Sequence, residues 1–331
     1  MKESIVTQTK AGRIEYIDMF RSFGIILMIM GHVGFGDSFD QFIHAFHMPM
    51  FFFVSGFLFR NKKERFSAYM VKKCKTLILP YIIFGLFHYV VYSLMNNSFS
   101  FEPIKALLLF PTNGLPIAGA LWFLIALFVA DIVYYWIERI KDQRIQCIIV
   151  ISVALMGQYL PRFFEMSIPF ALSPALVGVG LIHIGRKLRK YEEVVVGLTW
   201  YQILFFGVLI SASIIKSNYI NMRTGNYSAD YLMFWVNAVG ASVIGLNISR
   251  SVKTFFKNCV VSNYLQSVGR NSIVYVCFNQ IVIMLSADLI YPYMGNSYLI
   301  KALLLCITLI MLFTISFVFE HTKLKVILGR F

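Results

Sequence analysis

The sequence predicts an all-α, polytopic membrane protein with about ten transmembrane helices and both termini cytoplasmic. Three observations carry this: an apolar composition, a series of apolar segments of bilayer length, and basic residues confined to one side. Of 331 residues, 58% are hydrophobic and 14% charged, and the mean hydropathy is +0.71. A soluble domain carries about 25% charged residues, so this charged set cannot coat a body that holds 32 Phe and 18 Tyr. Composition excludes both an ordinary soluble domain and a disordered chain. Loops are short and no Gly/Ser linker interrupts them, so residues 1–331 read as one integral-membrane domain.

An apolar helix crosses a bilayer in about 20 residues. By that ruler the first segment is 16–33. It follows a polar stretch, 1–12, without a cleavable signal pattern, and is expected to stay in the mature protein. The second, 41–59, contains Pro49 and Gly56, so it should bend and admit a close neighbour. The third, 77–95, follows a lysine-rich stretch, and the fourth, 116–137, is rich in aromatic residues. The fifth and sixth, 147–160 and 169–184, are short and could tilt less, thin the bilayer or re-enter it. Segments 194–215, 231–248, 272–290 and 298–319 complete the set.

The net charge of +14 is distributed between these segments. With a cytoplasmic N-terminus, every Lys and Arg except Lys105, Arg162, Lys216, Arg223 and Lys301 falls on the cytoplasmic side. Miscounting one segment would invert every later loop and destroy that pattern. The charge is therefore read as an orientation signal and an attraction to lipid headgroups, with no nucleic-acid partner expected. The five cysteines are scattered without a CxxC pair, and no His/Cys/acid set has metal-ligand spacing, so neither disulfides nor a metal is expected.

Titratable residues inside a span are costly and mark function. Arg21 and His32 are eleven positions apart, close to three helical turns, and so share a face about 16 Å apart. Asp18 can pair with Arg21 at i, i+3. His47 opens the second segment, at a depth comparable with His32 if the two helices are antiparallel. Arg21 with Lys72, Lys73 and Lys75 would offer cations to a polyanionic ligand at the cytoplasmic rim. His32 could serve as general base or as nucleophile, and the residues alone leave both open. Trp122 and outer-loop tyrosines could stack on a sugar ring, although interfacial aromatic belts are the commoner explanation.

Several of these pieces together resemble a known family. They are Arg21-x10-His32 preceded by Asp18; His47-Met-Pro-Met-Phe-Phe-Phe-Val-Ser55-Gly56; and Lys72-Lys73-Cys74-Lys75 leading to Pro80-Tyr81. Leu121-Trp122-Phe123-Leu124 and Gly269-Arg270-Asn271-Ser272 add to them. The chain resembles the membrane-bound acyltransferase 3 family over nearly its whole length, most closely the fucose 4-O-acetylase-like sugar O-acetyltransferases. The resemblance implies transfer of an acyl group, usually acetyl, from cytoplasmic acetyl-CoA (a donor substrate, with no permanently bound cofactor) to a hydroxyl of a cell-surface polysaccharide or lipid-linked sugar. It implies a multi-pass protein of the plasma or inner membrane. Arg21 and His32 are its functional pair, with His47 beside them. Lys72, Lys73 and Lys75 belong to donor binding, and Asp18, Ser55, Trp122 and Asn279 are supporting. Two positions depart from the pattern: Lys73 stands where many members have Arg, and Asn279 near where a His is frequent. Asn cannot titrate.

Two other classes compete. A flippase or transporter for a lipid-linked oligosaccharide would show repeat symmetry and matched broken helices, and a polysaccharide polymerase a large outer loop. The sequence displays neither, and its longest outer loop, 216–230, is modest.

Overall fold

The computed structural model describes residues 14–59, 64–164, 168–227, 231–257 and 259–329. The stretch 1–12, and the basic residues Lys2, Lys10, Arg13, Arg60, Lys62, Lys63 and Arg330, lie outside the described residues. Among those described the chain is helical, without a strand beyond one isolated bridge between Asn221 and Asn226. Among the described residues seven helices are long and apolar enough to cross a membrane: Glu15–Val33, Phe66–Met95, Gln143–Phe163, Pro169–Val195, Tyr231–Phe255, Ser272–Met294 and Tyr298–His321. Two shorter apolar helices, Trp122–Ile137 and Trp200–Lys216, pack among them. The protein is a multi-pass membrane protein.

In chain order the helices are α1 (Glu15–Val33), α2 (Asp37–His44) and α3 (Pro49–Phe57). Next, α4 (Phe66–Lys73) runs through a wide turn at Cys74–Ile78 into α5 (Leu79–Met95), and α6 (Glu102–Leu109) follows. Then come α7 (Trp122–Ile137), α8 (Gln143–Phe163), α9 (Leu172–Leu188), α10 (Glu192–Val195) and α11 (Trp200–Lys216). The chain closes with α12 (Tyr231–Phe255), α13 (Val260–Arg270), α14 (Ser272–Met294) and α15 (Tyr298–His321).

The second segment differs from its sequence reading. Residues 41–59 are not one bent helix but the end of α2, a turn, and α3 with Pro49 in its first turn. Proline has no N–H to continue the ladder from α2 but suits a helix start, so the chain restarts there. The nine residues of α3 rise only about 14 Å and are almost wholly buried. The third segment extends further than expected, because α4 carries the lysine-rich stretch as helix instead of loop.

Water does not drive helices together within lipid, so close packing and small residues must. A Cβ on Gly56 would collide with the Ile182 carbonyl, and one on Gly185 with the Phe53 carbonyl. These reciprocal contacts let α3 and α9 meet backbone to backbone, and α9 is the most enclosed crossing, 72% buried. At the perimeter, α8 and α15 are each 28% buried and turn Ile148, Ile151, Leu299 and Ile310 outward, as lipid-facing helices do. On α13, Gly269 sits against the Asp18 backbone, pinning the Gly269–Ser272 motif to the first turns of α1.

Candidate active site

His32 occupies the last turn of α1, where Gly34, at φ +81°, ends the helix and returns its N–H to the Met30 carbonyl. His32 is an exposed residue at the end of this otherwise largely buried helix. Its Nδ1 is 2.5 Å from Oδ1 of Asn279 on α14. The Asn279 amide nitrogen donates to the carbonyls of Tyr275 and Val276, at 2.9 and 2.8 Å, so its oxygen is the atom turned to His32. An amide oxygen only accepts, so this contact puts a proton on Nδ1 of His32, and in the neutral ring Nε2 then carries the lone pair.

A polar shell surrounds this ring. His44, Asp40 and Arg223 lie within electrostatic range of His32, and His32 within range of His47. The His44 and His47 rings meet edge to face at 4.7 Å. His47 is buried and donates Nδ1–H to the Ile43 carbonyl at 2.8 Å, the interior of the turn that Pro49 terminates. Asp40 approaches His44 Nδ1 at 3.1 Å and accepts the Tyr219 hydroxyl at 3.0 Å. Burial, reinforced by Asp40, pushes the Tyr219 phenol up to about 12, so it remains a donor at neutral pH. Arg223 donates to the carbonyls of Thr112 and Asn113 at 2.6 and 3.0 Å. Gln280, next to Asn279, accepts the Gly119 N–H and so docks the turn before α7 onto α14. Trp122, which follows that turn, is packed inside at 4% exposure.

The other end of α1 is organised by charge. Arg21 pairs with Asp18 at 3.7 Å. Lys73 reaches 2.5 Å from Asp131 on α7, and Ser55 donates to the other oxygen of that carboxylate at 3.1 Å. Two residues singled out in the sequence, Ser55 and Lys73, thus converge on a third that was not. Asp131 is fully buried, and its signal was available: a lone acid inside an otherwise uncharged apolar helix. Lys72 and Lys75 are exposed and line a cavity of about 520 Å3 with Ser67, Ala68, Val71 and Thr76.

The structure therefore brings together His32, His47 and Asn279 at one end, and Ser55 with Lys73 at the other. By helix rise Arg21 stands about 16 Å from His32. An apolar groove runs along the flank of α1 against α11 and α12, lined by Phe20, Phe23, Leu27 and Phe46. Neither it nor the lysine cavity is lined by Arg21 or His32. Among the described residues no group of three or more His, Cys, Asp and Glu is arranged to hold a metal ion. A family model described as an acyltransferase domain matches residues 14–321. Neither the curated proteins nor the solved structures contain a match.

Proposed function

From the premise that this chain belongs to the acyltransferase 3 family, we propose that it is a sugar O-acetyltransferase of the fucose 4-O-acetylase-like branch. It moves an acetyl group from cytoplasmic acetyl-CoA to a hydroxyl of a cell-surface polysaccharide or lipid-linked sugar, in the plasma or inner membrane. The chain crosses the membrane about ten times with both ends cytoplasmic, which puts Arg21 and the lysines at the cytoplasmic rim and His32 toward the outer face.

The observation that supports this most is the Asn279–His32 hydrogen bond, because it leaves a base where a hydroxyl can be deprotonated. In the reaction, Nε2 of His32 takes the proton of the sugar hydroxyl as its oxygen attacks the thioester carbonyl. The C–S bond breaks, CoA leaves as thiolate, and the imidazolium returns the proton to sulfur. Asn279 keeps the ring in register and its oxygen steadies the transient positive charge. His47 lies within electrostatic range of the same ring. Arg21, supported by Asp18, and the exposed Lys72 and Lys75 hold the donor's phosphates, and the pantetheine arm covers the distance to His32. Lys73 is committed to Asp131, whose other oxygen Ser55 engages, so its part is to hold α4 against α7, with the rim lysines set in place as a result.

The test is reconstitution in lipid nanodiscs with radiolabelled acetyl-CoA and glycan from the producing cell. Label should enter the glycan as an alkali-labile ester. Stoichiometric CoA release with no ester formed would refute the reading.

A further inference from the structure

A cavity of about 660 Å3 lies between the last turns of α8, the loop 217–227 and the start of α12. Its volume is within the roughly 300–1,000 Å3 of small-molecule sites. The loop that walls it is a built hairpin. Asn221 and Asn226 exchange backbone hydrogen bonds at 2.7 and 3.0 Å, and the Asn221 side chain accepts the N–H of Arg223 at 3.0 Å. Gly225, at φ +74°, is pressed against Pro161.

The lining combines rings with amides. Gln158 is 1% exposed, and its Oε1 accepts the Trp235 indole N–H at 3.1 Å, while its Nε2 has no hydrogen-bond partner. The Arg162 guanidinium carbon lies 4.8 Å from the centroid of the Tyr231 ring. Tyr219, Tyr227 and Asn218 add two further rings and an amide, and no carboxylate lines the cavity among the described residues. Aromatic faces suit the C–H faces of a pyranose, and amide and guanidinium donors suit its hydroxyls. Tyr219 also joins this cavity to the histidine cluster: its ring is 5.3 Å from His44, which contacts His47.

We propose that this cavity is a carbohydrate subsite, holding a sugar unit adjacent to the one whose hydroxyl meets His32. Only the identification of that sugar as the acceptor rests on the acyl-transfer reading. The test is photo-cross-linking of the wild-type protein in nanodiscs. Two probes are used: diazirine-tagged maltotetraose, which is neutral, and diazirine-tagged tetragalacturonate, which is acidic. Saturable cross-links from either should map to residues 158–162, 218–227 or Tyr231. Tyr231→Ala and Arg162→Ala should weaken them about tenfold, the scale of a lost ring contact, and Tyr231→Phe should restore them. Cross-links mapping elsewhere, or no saturable cross-link from either probe, would overturn the subsite. Acetyl transfer with cross-links elsewhere defeats the subsite and spares the transferase reading. Cross-links at the cavity without acetyl transfer do the reverse.

Discussion

The two ends of the bundle solve different problems with polar residues. In the cluster around His32 most contacts are between neutral groups: the Asn279 oxygen on the His32 ring, the His44 ring on His47 and the Ile43 carbonyl on His47, with one carboxylate, Asp40, beside His44. Around the start of α1 they are ion pairs: Lys73 with Asp131, Arg186 with Glu138, Lys253 with Glu15 and Arg189 with Glu192. A half-buried pair in a low-dielectric bundle holds helices in register only while both partners are present. A neutral imidazole with one nitrogen spoken for is poised to accept a proton. One end is built for holding and the other for chemistry, and mutations should separate them.

The largest effect belongs to His32→Ala, expected to lower kcat for acetyl transfer by about 10²–10⁴-fold with unchanged membrane yield and thermal midpoint. A fall in yield matching the fall in activity would erase the contrast. Next is Asp131→Leu, which strands the Lys73 ammonium. It should destabilise by on the order of 3 kcal/mol, read as a lower thermal midpoint in nanodiscs. Lys73→Met combined with Asp131→Leu should recover most of that loss, and no recovery would mean that the pair is not what holds α4 to α7. Asn279→Leu removes a hydrogen bond worth about 1–1.5 kcal/mol and should lower kcat roughly tenfold with little change in the donor KM. A donor KM effect alone would assign Asn279 to the wrong end. Smallest is Tyr219→Phe, which deletes the hydroxyl's bonds to Asp40 and Asn221 and should reduce kcat by less than about threefold.

Much of this contrast was legible in the sequence, and the parts that were not have physical reasons. Arg21, His32 and Asp18 share one helix, and fixed helical geometry puts them on a common stripe with the Asp18–Arg21 pair formed. Gly56 was read as a point of close approach, and it is one. Hydropathy could not foresee that 41–59 splits in two, because a summed apolarity does not register where a backbone donor is missing. Asp131 was overlooked because its meaning lies in partners 58 and 76 residues away, Lys73 and Ser55. Asn279 was read as a supporting residue that had lost a titrating group. Its value lies in where its oxygen points, which its own helix decides by engaging its amide nitrogen.

The tautomer of His32 is the point on which the mechanism turns. Solid-state nitrogen NMR on imidazole-labelled protein in bilayers, with His32 assigned by its loss in His32→Ala, reads it directly. The proton should reside on Nδ1, with Nε2 unprotonated at neutral pH, and Asn279→Leu should scramble the two. A wild-type ring protonated at Nε2 would contradict the assignment of His32 as the base.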